Sequence, residues 1–252
     1  LATGQTTSYS SEQDDGALRK GLPKSYTILT TGAYSSTSNI DLAHLSRTDI
    51  SFDAATKTIT CAGQMGVFKA AGGETIVITG STSNNGTYTT ASATADTVVT
   101  VEALADEAAG ATVTIAKREA HSNNAVLDNN TGLMWSRYVS DKMGTAGDGK
   151  MPWTGQLYDI FAYAAAANTA LLAGYGDWRV ANFFELVSLA NMENSPCVPD
   201  TTAFPSFPTD RVLSATTRSN LTTYAMEGDW GNGLFDSRDK NNAHYTILVR
   251  AG

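Results

Sequence analysis

Between residues 47 and 118 the chain repeats one pattern that leaves little choice of fold: short β-branched runs separated by turn chemistry. Residues 57–60, 75–78, 87–90, 98–101 and 112–115 are each rich in Thr, Val and Ile. Branching at Cβ crowds a helical turn but packs well on a pleated surface, so these runs favour strands. Gly72-Gly73 and Asn84-Asn85-Gly86 stand between them, and Asn-Gly supplies the positive φ that a tight hairpin uses. Short strands at this spacing predict a small all-β sandwich or barrel over 47–120. Residues 102–109 read as a loop or one helical turn.

The flanking segments follow different rules. Residues 1–46 are polar and turn-rich, with a short helix expected at 11–20, capped by Ser11 and stopped by Gly21 and Pro23. A strand is expected at 26–29. Past His121 the pattern is mixed. Leu157, Ile160, Phe161, Ala164 and Leu171 recur at helical spacing, predicting a helix from about 155 to 173 that Gly174 ends. A second helix is expected after Asn182, with Glu185 three residues on completing a capping box, and Leu186, Leu189 and Ala190 as its buried stripe. Four of the six prolines fall in 194–210, predicting an irregular loop. Short strands and polar loops follow to the end. The expected organisation is one domain built from 1–46 plus 121–252, interrupted by the β module at 47–120.

Charge and motif content exclude several functions. The net charge is −8 and the pI about 4.8, with no Lys/Arg cluster to track a phosphate backbone, so nucleic acid is not an expected partner. No apolar run approaches the ~20 residues of a membrane span. The Zn-protease, CxxC, phosphate-loop and nucleophile-elbow motifs are missing. His44, His121 and His244 are isolated in sequence and read as surface or loop residues, with no zinc spacing. Cys61 and Cys197 read as free thiols rather than a disulfide. No metal or cofactor is expected. The one cation candidate is calcium at Asp229, Asn232 and Asp236, whose alternative reading is a polar turn around a packed Trp230.

One cluster reads as an internal clasp. In Asp177-Trp178-Arg179, followed by Phe184-Glu185-Leu186, an aromatic anchor sits between two charges ahead of an amphipathic helix. Beside it stand Asp128-Asn129-Asn130-Thr131-Gly132-Leu133-Met134-Trp135-Ser136-Arg137, Gly174-Tyr175-Gly176 and a terminal Val249-Arg250-Ala251-Gly252. In this order the pieces resemble the DUF1566 family, also called the Lcl C-terminal domain family, over residues 121–252. The resemblance implies an α+β, C-type-lectin-like fold, similar to the formylglycine-generating enzyme, with two main helices and short antiparallel strands. It makes Trp135, Asp177, Trp178, Arg179, Glu185 and Arg250 structural. There are departures: Val180-Ala181-Asn182 replaces the family's Leu-Pro-Thr, and Leu213-Ser214-Ala215-Thr216 its Trp-Ser-Ser/Ala-Thr. Cys197 alone cannot supply the paired cysteines of the formylglycine-generating reaction, so no catalytic residue is carried over. The 47–120 block resembles small β modules of phage tail-associated proteins.

In related lectin-like folds, including variable proteins of diversity-generating retroelements, the C-terminal loops present the binding face. Here that implies Arg218, Asn220, Tyr224, Asp229, Trp230, Asn232, Arg238, Asp239, Asn241, Asn242, His244 and Tyr245. Their composition, aromatic area with adaptable amides, independently suits recognition. The expected function is a non-catalytic protein of a virion or cell surface, binding a cell-surface protein or glycan receptor. The alternative is a structural subunit of a phage tail, fibre or extracellular filament, homo-oligomeric or part of a larger assembly, joined through its N-terminal arm and β module. An enzyme of the same fold is the third reading.

Overall fold

The computed structural model describes residues 23–140, 143–144 and 147–252. The helix expected at 11–20 lies outside them. The N-terminal part runs β1 (Tyr26–Leu29), β2 (Ser38–Arg47), β3 (Ser51–Asp53), β4 (Thr58–Thr60), β5 (Thr75–Thr79), β6 (Gly86–Ala93), β7 (Thr97–Thr100) and β8 (Val113–His121). The remainder runs β9 (Ala125–Asp128), β10 (Leu133–Ser136), α1 (Ile160–Thr169), β11 (Arg179–Val180), α2 (Phe183–Leu189), β12 (Arg211–Thr217), β13 (Tyr224–Asp229), β14 (Leu234–Asp239), β15 (Tyr245–Thr246) and β16 (Leu248–Ala251).

The expected α+β, C-type-lectin-like fold with two main helices is overturned. The chain is 37% strand and 12% helix, with two helices and three sheets among the described residues. The reason is local. Asp159 caps α1 through its carboxylate, accepting from the N–H groups of Phe161 and Ala162, so the helix starts at 160 rather than 155. Leu171 and Ala173 then take positive φ, which closes it at ten residues. At α2 the capping box forms as expected: Asn182 Oδ1 accepts from Glu185 N–H at 2.9 Å and Glu185 Oε2 from Asn182 N–H at 2.8 Å.

β2-β8-β5-β6-β7-β4-β3 make one antiparallel seven-stranded sheet. Its strands alternate cleanly: Ile76 and Ile78 of β5 are buried, with Thr75, Val77 and Thr79 facing out. Ile59, Ile76, Ile78, Val98 and Ile115 meet in a core that also holds Cys61 and Phe68. The tight Asn85-Gly86 hairpin is corrected. The β5–β6 connection is longer, turns at Gly80 with φ +80°, and is stitched by side chains: Asn85 Oδ1 accepts from Ser81 N–H, and Glu107 from Ser81 Oγ and Thr82 N–H. Long β2 was hidden in a segment expected to be turns. A bulge at His44 interrupts its register between Ala43 and Leu45. Ile40 and Leu42 pack toward α1, Leu45 into the seven-stranded core.

β1-β9-β10-β16-β11 form an antiparallel five-stranded sheet covered on both faces. Neighbouring residues go to opposite sides. Ala125, Met134, Val180 and Leu248 join α1's Ile160, Tyr163 and Ala167; Val126, Trp135, Ala181 and Val249 join α2's Leu186 and Leu189, with Phe204 and Trp230. β14-β13-β12-β15 form the third sheet, with β15 parallel to β12. A single buried residue, Ile247, separates β15 from β16. The last strands thus couple this sheet to the five-stranded one.

Candidate functional site

The 177–185 cluster braces the fold from several directions. Trp178 is buried, its indole N–H donates to Leu172 O at 2.7 Å, and its own N–H donates to Asn168 Oδ1 at 2.7 Å. Arg179 forks onto Glu185 at 2.7 and 2.6 Å, holding that carboxyl below its usual range. Arg250 holds Asp177 at 2.6 and 3.2 Å and stacks on Tyr175, 3.7 Å from the ring centroid. Trp135 is fully buried. The charged groups are paired with one another and both indoles are buried, which leaves them little capacity for a ligand.

The third sheet ends in a rim. The loops 218–223 and 240–244 leave it side by side, joined by Lys240 N–H donating to Thr223 O at 2.9 Å. Arg218 supports the first loop, donating to Asn220 Oδ1 at 2.8 Å and Ser237 Oγ at 3.0 Å. Asp239 supports the second, accepting from Asn241 N–H at 2.9 Å. Asn220, Leu221, Asn241 and Asn242 stand exposed above, with Tyr224 half-buried beneath. Beside them lies a ledge that the sequence did not suggest: Trp153 and the exposed Phe161, edge to face at 4.7 Å. Lys240 Nζ lies 3.7 Å over the Trp153 ring, and Trp153 N–H donates to Lys240 O at 3.0 Å. In sequence, Phe161 passed for a core position of α1; its place on the outer side follows only from where the helix starts.

A buried polar hub lies below the second loop. Glu227 of β13 is buried, with Arg211 Nε of β12 at 3.1 Å, Arg238 Nε of β14 at 3.3 Å and His244 Nε2 at 3.6 Å. Burial pushes its carboxyl up to about 7, against the pull of Arg211 and Arg238. Burial also lowers His244, to about 4, with Arg211 adding to the effect.

The twelve expected binding residues therefore do not share one face. Arg218, Asn220, Tyr224, Asp239, Asn241 and Asn242 gather at the rim. Asp229 and Asn232 lie at the opposite, hairpin end of β13–β14, about 17 Å away at ~3.4 Å per residue. Trp230 is corrected: it is fully buried, edge to face with Phe207 at 4.7 Å, and presents no surface. Arg238 and His244 belong to the hub, and Tyr245 sits under Lys150. For calcium, Asp229 is already taken by Arg211 at 3.1 Å and Asn232 at 3.2 Å, Asp236 lies across from Glu227, and no group of three or more His, Cys, Asp or Glu converges among the described residues. His44 is also corrected: it is buried in the β2 bulge, stacked on Tyr158 at 4.6 Å. Both cysteines are free and buried, and no helix of the described residues is long and apolar enough to cross a membrane.

The family model of the Lcl C-terminal domain matches residues 124–250, a span that holds the brace, the hub and the rim. No curated protein and no solved structure matches the chain.

Proposed function

The chain belongs to the Lcl C-terminal domain family, and we propose that it is a non-catalytic binding protein displayed on a virion or cell surface, engaging a protein or glycan receptor through the rim of its third sheet. Membership of the family is consistent with a surface or secreted protein. The observation that carries the reading is the pairing of exposed amides with an aromatic ledge: Asn220, Asn241 and Asn242 beside Trp153 and Phe161. Amides donate and accept from one side chain, which suits hydroxyl-rich or peptide surfaces. Aromatic rings add contact area at small entropic cost. The loops are short and anchored by backbone bonds to Thr223, Met151 and Lys240, so little ordering is needed on binding.

The test is a glycan array and a panel of intact cells probed with fluorescent protein. The wild-type chain binds a restricted set; Asn220→Ala with Asn241→Ala and Asn242→Ala loses it while keeping its thermal midpoint. Binding that survives the triple substitution refutes the rim.

A further inference from the structure

The hub contains an unusual contact. Glu227 Oε2, His244 Nδ1 and His244 Nε2 are all buried without a hydrogen bond, and Oε2 faces Nε2 at 3.6 Å. Two lone-pair atoms turned toward each other in a buried space repel unless a proton lies between them. Given that proton, the same geometry needs only a few tenths of an ångström to become a hydrogen bond. We propose that Glu227 and His244 share one proton and form a pH-sensitive latch holding the 240–244 loop, and with it the rim, against the third sheet.

The surroundings favour one neutral, singly protonated pair. Arg211 and Arg238 lie on the Oε1 side of Glu227, Asp229 follows on its own strand, and Asp236 is its register partner on β14. Asp210 and Lys150, paired at 2.7 Å, act on the imidazole from the far side. A second proton would place an imidazolium among Arg211, Arg238 and Lys150. Both shifts agree with a single proton, since burial raises the carboxyl and lowers the imidazole. In the unfolded chain the same proton sits on the imidazole, because 6.5 exceeds 4.5. Folding thus moves it to the carboxyl without changing the number bound. Between pH 4.5 and 6.5 the pair makes no net contribution to pH dependence. Above that window the folded state holds the extra proton, so the latch's contribution is lost as pH rises through about 7. Below it the contribution is lost as pH falls through about 4.

The latch acts on a definite segment. His244 N–H donates to Met151 O at 3.0 Å and Met151 N–H to His244 O at 2.9 Å. Releasing the imidazole loosens that bridge, which anchors one side of the rim.

The experiment is NMR on the free protein. Carboxyl and ring-nitrogen titrations are assigned with Glu227→Gln and, independently, His244→Gln. Glu227 titrates near 7 and His244 stays neutral down to about 4. Exchange of the Met151 and His244 amides, corrected for intrinsic rates, rises several-fold from pH 6 to 8, the size expected for loss of one hydrogen bond. In Glu227→Gln, whose amide can donate to Nε2 at every pH, this rise is absent. Titration of wild-type Glu227 in the ordinary carboxylate range, or bridge protection unchanged from pH 6 to 8, overturns the latch. The link to binding rests on the proposed function; the titration does not. A chain that binds nothing on array or cells leaves the latch standing, and ordinary titration in a chain that does bind removes the latch alone.

Discussion

Trp178→Ala offers the sharpest test of how the domain is braced. The side chain is 2% exposed and packs among α1, Val180 and Leu248. Truncating a buried Trp costs about 3–5 kcal/mol in lost burial and cavity. The indole hydrogen bond to Leu172 O adds about 1 kcal/mol. No orphaning penalty follows, because the Leu172 carbonyl keeps the Tyr175 N–H at 3.1 Å. The sum, about 4–6 kcal/mol, approaches the whole stability of a domain near the low end of ~5–15 kcal/mol. Urea denaturation followed by far-UV circular dichroism, run beside Trp178→Phe, separates the two parts. Phe keeps most of the burial and loses the N–H, so it should cost about half as much or less. A Trp178→Ala protein within about 1 kcal/mol of wild type refutes the reasoning, since no buried Trp in a close-packed core is removed that cheaply.

Asn182→Ala removes the acceptor for Glu185 N–H and should cost about 1 kcal/mol in the same assay. Lys117→Ala leaves Glu74, 2.8 Å from the buried ammonium, without its charge partner, and should cost about 3–5 kcal/mol. Adding Glu74→Gln should recover part of that loss, a coupling that independent surface sites would not show. His44 is held neutral, its pKa drawn from 6.5 to about 3 by burial, with Lys117 adding to the effect. Its contribution is complete above pH 6.5 and is lost progressively as pH falls from 6.5 to about 3. At pH 4 the wild type should have lost about 3 kcal/mol that His44→Phe does not lose, read from melts at pH 7 and pH 4.

The strands from 58 to 115 were legible because Thr, Val and Ile alternate at period two around Gly-rich turns. β2 was not, because Ser38-Asn39-Ile40-Asp41-Leu42 carries only two branched or long apolar residues, and its bulge at His44 breaks the alternation. Asn182 and Glu185 announced the start of α2 by local chemistry alone. α1 was read too long because apolar spacing continues through Leu171, while termination depends on backbone angles at Leu171 and Ala173 that composition does not encode. In the candidate site, amide and aromatic content marked one segment but not how far apart its two ends lie. Strand register places Asp229 and Asn232 away from Asn220 and Asn241. Trp230 looked like a contact residue because a Trp in a polar turn resembles a surface anchor; Phe207 and Phe235 around it show a core residue. The Glu227–His244 contact joins positions seventeen residues apart by number that meet through the β13–β12–β15 pairing, so no local motif marked it.

The claim that recognition belongs to the rim is met most directly by comparing the two ends of the same hairpin. Fluorescent wild-type protein, the triple variant Asn220→Ala, Asn241→Ala and Asn242→Ala, and the hairpin-end variant Asn232→Ala are applied to one glycan array and one cell panel, each with its thermal midpoint recorded. Binding lost by the rim variant and kept by the hairpin-end variant, with equal midpoints, is the predicted result. Binding kept by the rim variant and lost by Asn232→Ala would contradict the account.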